Sequence, residues 1–151
     1  MSQDRTRTIL ARFMLILGAA GLWATGADHL YEYSASGFST VPTIGTLFLL
    51  NFIAATLVGA GLLLPLERLS KRFGARLTAM LALGGIGIAT TSLLGLWISE
   101  TSSLFGFTDY GSRPTIVAAI VAESITVLAL SAYLGLSGIR LFHTPPSLRT
   151  H

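Results

Sequence analysis

Long uncharged stretches divide this chain. Between Glu32 and Glu67 no charged residue occurs, and within that stretch Ile44 to Leu64 is apolar apart from Thr46, Asn51 and Thr56. Leu77 to Ser99 is a second uncharged run, of 23 residues. From Pro114 to Leu141 the chain is apolar again, interrupted by Glu123 and ended by Arg140. The first run, Phe13 to Ala27, has only 15 uncharged residues. It reaches spanning length if the helix starts near Thr8 and Arg12 snorkels to the interface. A bilayer crossing needs about 20 mostly apolar residues. The pattern therefore predicts four transmembrane helices, at about 8–27, 44–64, 77–99 and 114–141.

Composition agrees. Of 151 residues, 52% are hydrophobic and 11% charged, and the mean hydropathy is +0.69. Soluble domains carry about 25% charged residues, too many to match this surface. With no Cys there is no disulfide scaffold, thiol chemistry or thiolate metal site. The apolar start, preceded by Arg5, Arg7 and Arg12, has the form of a signal peptide, but Thr25-Gly26-Ala27 is a poor cleavage site. The segment is read as a retained span.

The pI near 9.8 is a topology signal. Arg5, Arg7, Arg12, Arg68, Lys71, Arg72, Arg76, Arg140 and Arg149 fall on one side of the predicted spans, and Arg113 alone on the other. That second side holds Asp28, Glu32, Glu100 and Asp109. The positive-inside rule then puts both termini in the cytoplasm of a bacterium, with the chain in its plasma membrane. It leaves no basic surface for nucleic acid. Lipid is the default partner, through the 67–76 loop among others.

Helices in lipid associate through small residues and interhelical hydrogen bonds. Gly18 to Gly21, Ala55 with Gly59, Gly87 with Thr91 and Gly95, and Ala118 with Ala122 and Thr126 give each span such a face. The expected fold is all-α: a transmembrane antiparallel four-helix bundle in a single domain. Aromatic residues of the two external loops (Tyr31, Tyr33, Phe38, Phe105, Phe107, Tyr110) suit the membrane interface.

Few residues carry chemistry. Glu123 lies nine positions into the fourth span, roughly 13 Å down at the usual helical rise. An ionised acid at mid-bilayer costs about 2.5–3.5 kcal/mol on insertion scales. Its one-turn neighbours Ala119 and Thr126 form a small, polar face that turns it toward the bundle interior. Two readings are open for it: a proton-exchanging or ligand-binding carboxyl group, and a protonated acid hydrogen-bonded to another helix, for instance through Asn51. Asn51, seven residues into the second span, is itself read first as interhelical glue.

Asp28, His29 and Glu32 cluster at the external end of the first span. Glu100 or Asp109 would have to complete a metal site there, and one His with scattered acids fits a solvated helix end better. No metal or other cofactor is expected. His29 lies on the external side and His143 and His151 on the cytoplasmic side, so one subunit has no axial pair for haem. No phosphate loop, nucleophile elbow or HExxH motif occurs, and Gly84-Gly85-Ile86-Gly87 lies inside a span. No enzyme signature is found.

The segment HLYEYSASGFSTVPTIGTLFLLN (His29 to Asn51), with LFGF at Leu104 to Phe107 and VAES around Glu123, resembles a family of functionally uncharacterised four-helix membrane proteins of actinobacteria. Phe38 and Asn51 stand where that family is associated with Tyr and Gln. Likeness to DoxX-like proteins extends to size and helix count only. The resemblance implies a fold and no activity. The expected function is that of a non-enzymatic accessory or structural subunit, bound to a protein partner or to further copies of itself. The alternative is a small carrier or binding protein for a lipid or quinone-type ligand, with Glu123 as polar anchor in a cavity lined by Asn51 and Thr126.

Overall fold

Prolines set much of the punctuation. Pro114 opens the last described helix at the position where its missing N–H costs nothing, and Pro42 and Pro65 precede two others. The computed structural model describes residues 3–69, 71–106, 108 and 113–137. Its helices are α1 (Gln3–Ser34), α2 (Ile44–Leu63), the short α3 (Leu66–Leu69), α4 (Lys71–Thr101) and α5 (Pro114–Ser137). A single 3-10 turn, Phe38–Thr40, lies between α1 and α2, and no strand element occurs among the described residues. Four helices, α1, α2, α4 and α5, are long and apolar enough to cross a membrane.

The boundaries differ from the sequence expectation in α4, which starts at Lys71 rather than near 77, and most in α1. It runs seven residues past Ala27, because His29 and Glu32 are buried in the bundle and helical geometry carries them there. At 1.5 Å per residue its 32 residues reach about 48 Å. The expected extension of the last span beyond Ser137 lies outside the described residues, as do Phe107, Asp109, Tyr110, Arg140, His143, Arg149 and His151.

Packing centres on α1, which makes its most extensive contacts with α5 and then with α2, while α4 packs on α5, α2 and α3. Close backbone approach explains the choice. A methyl group on Gly21 would fall on the Thr126 hydroxyl and lie 3.2 Å from the Ala122 carbonyl oxygen. One on Gly59 would come within 2.8 Å of the Trp23 indole. Trp23 in turn donates its Nε1–H to the Thr56 carbonyl at 3.3 Å, tying α1 to α2. Alanines 19, 55, 82 and 89 of α1, α2 and α4 are fully buried within the bundle.

One expected face is elsewhere. Gly87 has no atom within 4 Å of where a Cβ would stand, and Gly87 and Thr91 are exposed. The packing face of α4 is instead Ala79, Ala82, Gly85 and Ala89, with Gly85 against Leu22 and Leu130. One row runs at four-residue steps and the other at three- and four-residue steps, both of which follow one helix face, and the tertiary partner separates them. Ala118 and Ala20 are likewise exposed beside buried Ala119, Ala122 and Ala19.

Outward-facing side chains are large and apolar. Phe13, Leu57, Phe73, Met80, Trp97 and Leu128 are all more than half exposed. This inverts the soluble pattern and matches a hydrocarbon solvent.

Candidate functional site

Each helix that lines the site contributes one of its ends. Residues 28–32 of α1, 44–54 of α2, 88–99 of α4 and 115–123 of α5 enclose a cavity of about 390 Å³. That lies in the roughly 300–1,000 Å³ range of small-molecule pockets. Its walls are mostly apolar, with Leu47, Phe48, Ile88 and Ile116 among them, and its polar groups come from all four helices. Three acids (Asp28, Glu32, Glu123), His29, Asn51, Ser92 and Arg113 converge on it. Two groups that sequence reading kept apart, the end of the first span and the mid-span acid, therefore share one cavity.

Glu123 is only 1% exposed, and neither of its carboxyl oxygens has a hydrogen-bond partner. Ser92 on α4 faces it closely enough to act on it, but its hydroxyl is engaged elsewhere. His29 Nδ1 lies 2.9 Å from the Thr25 carbonyl oxygen, an acceptor only, so this nitrogen carries the hydrogen. In the neutral ring Nε2 is then the acceptor, and the Ser92 hydroxyl, 3.1 Å away, donates to it. Asn51 lines the same cavity, yet no hydrogen bond joins it to Glu123, since the Asn51 Oδ1 also lacks a partner. The interhelical bond expected between them is absent.

Aromatic rings and one ion pair cluster beside the cavity residues His29, Glu32 and Phe48. Gly37 (φ 85°) takes the left-handed conformation that releases α1 into the 3-10 turn, and Phe38 folds inward to 6% exposure. Its ring meets Phe48 edge-on at 5.0 Å, and Phe48 meets the His29 imidazole edge-on at 5.2 Å. The Arg113 guanidinium stands 5.4 Å over the Phe38 ring and pairs with Glu32 at 3.4 Å. Glu32 is nearly buried, and its second oxygen, Oε1, has no partner.

Thr126, expected beside Glu123 in the cavity wall, is placed elsewhere. It is fully buried at the α1–α5 seam, where its hydroxyl donates to the Ala122 carbonyl at 2.9 Å. Glu100 is exposed and does not line the cavity, and Asp109 is outside the described residues. Among the described residues no group of three or more His, Asp or Glu is placed to hold a metal ion. Sequence reading missed Ser92 and Arg113 as members of the site. Arg113 carried a signal all the same, as the one basic residue on the acid-rich side of the predicted membrane. Ser92 carried none, being one hydroxyl in a run with Thr90 and Thr91.

A second cavity, of about 870 Å³, lies at the other end of the bundle and is bordered by Arg7, Arg12, Arg68 and Tyr133. Arg7 there donates to the last carbonyls of α5, through Nε to Leu136 at 2.6 Å and Nη2 to Gly135 at 3.4 Å. No family profile matches the chain, and no curated protein or solved structure shows detectable similarity to it.

Proposed function

We propose that this chain is an antiparallel four-span protein of a bacterial plasma membrane, with both termini cytoplasmic, that binds or carries a small amphipathic ligand in the Glu123 cavity. The orientation rests on the basic residues at the end bordered by Arg7, Arg12 and Arg68, against the acids at the cavity end. On that orientation the cavity faces the outer leaflet.

One observation carries the binding reading. A carboxyl group is held almost fully buried, with both oxygens unpartnered, in the wall of a cavity large enough for a small molecule. Buried polar groups are nearly always satisfied, and each exception calls for a reason. Packing alone gives none, because an apolar side chain of the same shape would fit the wall at lower cost. A ligand that completes the hydrogen bonds does. The accessory-subunit reading draws on the small-residue faces and the scarcity of chain outside the spans, which packing among the chain's own helices in a bilayer also explains. No reaction is assigned to the site.

Native mass spectrometry of the tagged chain, extracted from its own membrane in mild detergent, tests the proposal. A small molecule that travels with the wild-type chain and is lost from Glu123→Gln is the expected result. A stoichiometric second protein with no small molecule would return the accessory-subunit reading to first place.

A further inference from the structure

The hydrogen-bonding groups around the cavity are unevenly matched. Several donors are spent within the protein. The Thr91 hydroxyl serves the Gly87 and Ile88 carbonyls at 2.8 and 3.0 Å, and the Ser99 hydroxyl donates to the Leu96 carbonyl at 2.8 Å. Ser92 donates to His29, and Arg113 is held by Glu32 and the Phe38 face. The buried carboxyl oxygens left without a partner are Glu123 Oε1, Glu123 Oε2 and Glu32 Oε1. Thr115 and Asn51 line the same wall and can serve either way.

Charge leans the same way. The cavity carries three carboxyl groups against one arginine. Glu32 and Arg113 pair with each other, and no other ion pair is formed among the described residues. Among the described residues, Asp28 and Glu123 thus face the cavity with no basic side chain at ion-pair distance.

We infer that the ligand of this cavity is an amphipathic amine: a protonated nitrogen that donates to Glu123, carried on an apolar body that fills the Leu47, Phe48, Ile88 and Ile116 wall. This inference rests on the binding reading and narrows it. An ammonium supplies up to three donors and the missing positive charge together, and charge-assisted bonds are roughly twice as strong as neutral ones. A quinone or a fatty acid would bring acceptors to a wall already rich in them. A bare divalent ion would find no converging ligand set among the described residues, and the apolar walls would contribute nothing to holding it. Phe48 adds to the apolar part of the wall.

The test uses the full-length chain in nanodiscs with three probes of one chain length: octylammonium, 1-octanol and octanoate. Binding is followed by isothermal titration calorimetry. Octylammonium should bind at least about tenfold more tightly than octanol, and octanoate should not bind measurably. Glu123→Gln should remove most of that preference. The comparison between probes is made on the wild-type chain, so it stands even if the variant does not fold. Equal or tighter binding of octanol or octanoate would overturn the amine assignment and leave the binding reading intact. No binding of any probe would overturn both.

Discussion

His29 and Ser92 lie 63 positions apart in the chain and face each other across the α1–α4 boundary, Nε2 to Oγ, at 3.1 Å. The relationship fixes a tautomer. Because the Thr25 carbonyl occupies Nδ1, the neutral His29 ring should carry its hydrogen there. Nitrogen-15 NMR of the labelled imidazole is expected to show a protonated Nδ1 and an unprotonated Nε2. Ser92→Ala removes the hydroxyl donor and should cost about 1 kcal/mol of stability. The opposite tautomer would mean that Ser92 is turned toward Glu123 instead.

Replacing Glu123 by Met should stabilise the empty protein. The change removes a buried, unpartnered carboxyl group and keeps the volume of the side chain. A gain of about 1–3 kcal/mol is expected in unfolding experiments in mixed micelles, with loss of amine binding. Destabilisation by the same amount would show that the carboxyl group holds the helices together.

Glu32 and Arg113 call for a double-mutant cycle. Arg113→Gln leaves a nearly buried carboxylate without its cation, whereas the double variant Glu32→Gln, Arg113→Gln removes both charges. The single arginine variant should therefore be less stable than the double, by about 1 kcal/mol given that Arg113 is 40% exposed. If the double variant is the less stable of the two, the pair is not the element that holds α5 to α1 at this end.

Two glycine substitutions should have opposite effects. Gly21→Ala drives a methyl group into the α5 backbone and the Thr126 hydroxyl, and overpacking of this kind costs about 1–3 kcal/mol. Gly87→Ala meets open space on an exposed helix face and should stabilise by about 0.5–1 kcal/mol through helix propensity. Thermal unfolding of both variants in the same detergent gives the comparison directly.

Orientation is open to labelling, because the chain has no cysteine of its own. Single cysteines at exposed Thr40 and Arg68 probe the two ends. A membrane-impermeant maleimide applied to intact cells should modify the first and spare the second. The reverse pattern would place the cavity on the cytoplasmic side.

The four long helices were legible because a bilayer imposes one length and one composition, and uncharged runs between Glu32 and Glu67 or Leu77 and Ser99 answer to nothing else. Glu123 was legible for the same reason, as a costly exception within a span. What periodicity could not separate was which small-residue row meets a neighbour. Gly87 and Gly85 differ in their partners, not in their local sequence, and Thr126 and Glu123 part company one turn apart because α1 crosses nearer to Thr126. The cavity itself is a long-range object. Asp28, Asn51, Ser92 and Glu123 come from four helices, and only their crossing makes them neighbours.

The dominance of the α1–α5 seam has a consequence for how the protein is made. Among the described helices, α1 meets its principal partner only after α2, α3 and α4 have been made, since α5 follows them in chain order. Until then the Gly18, Gly21 and Thr25 face of α1 stands uncovered in the membrane, and Arg7 has no α5 carbonyls to grip. Closure of the bundle is therefore a late event in biogenesis. A chain arrested before residue 114 carries an α1 face, at Gly18 and Gly21, that no α5 covers.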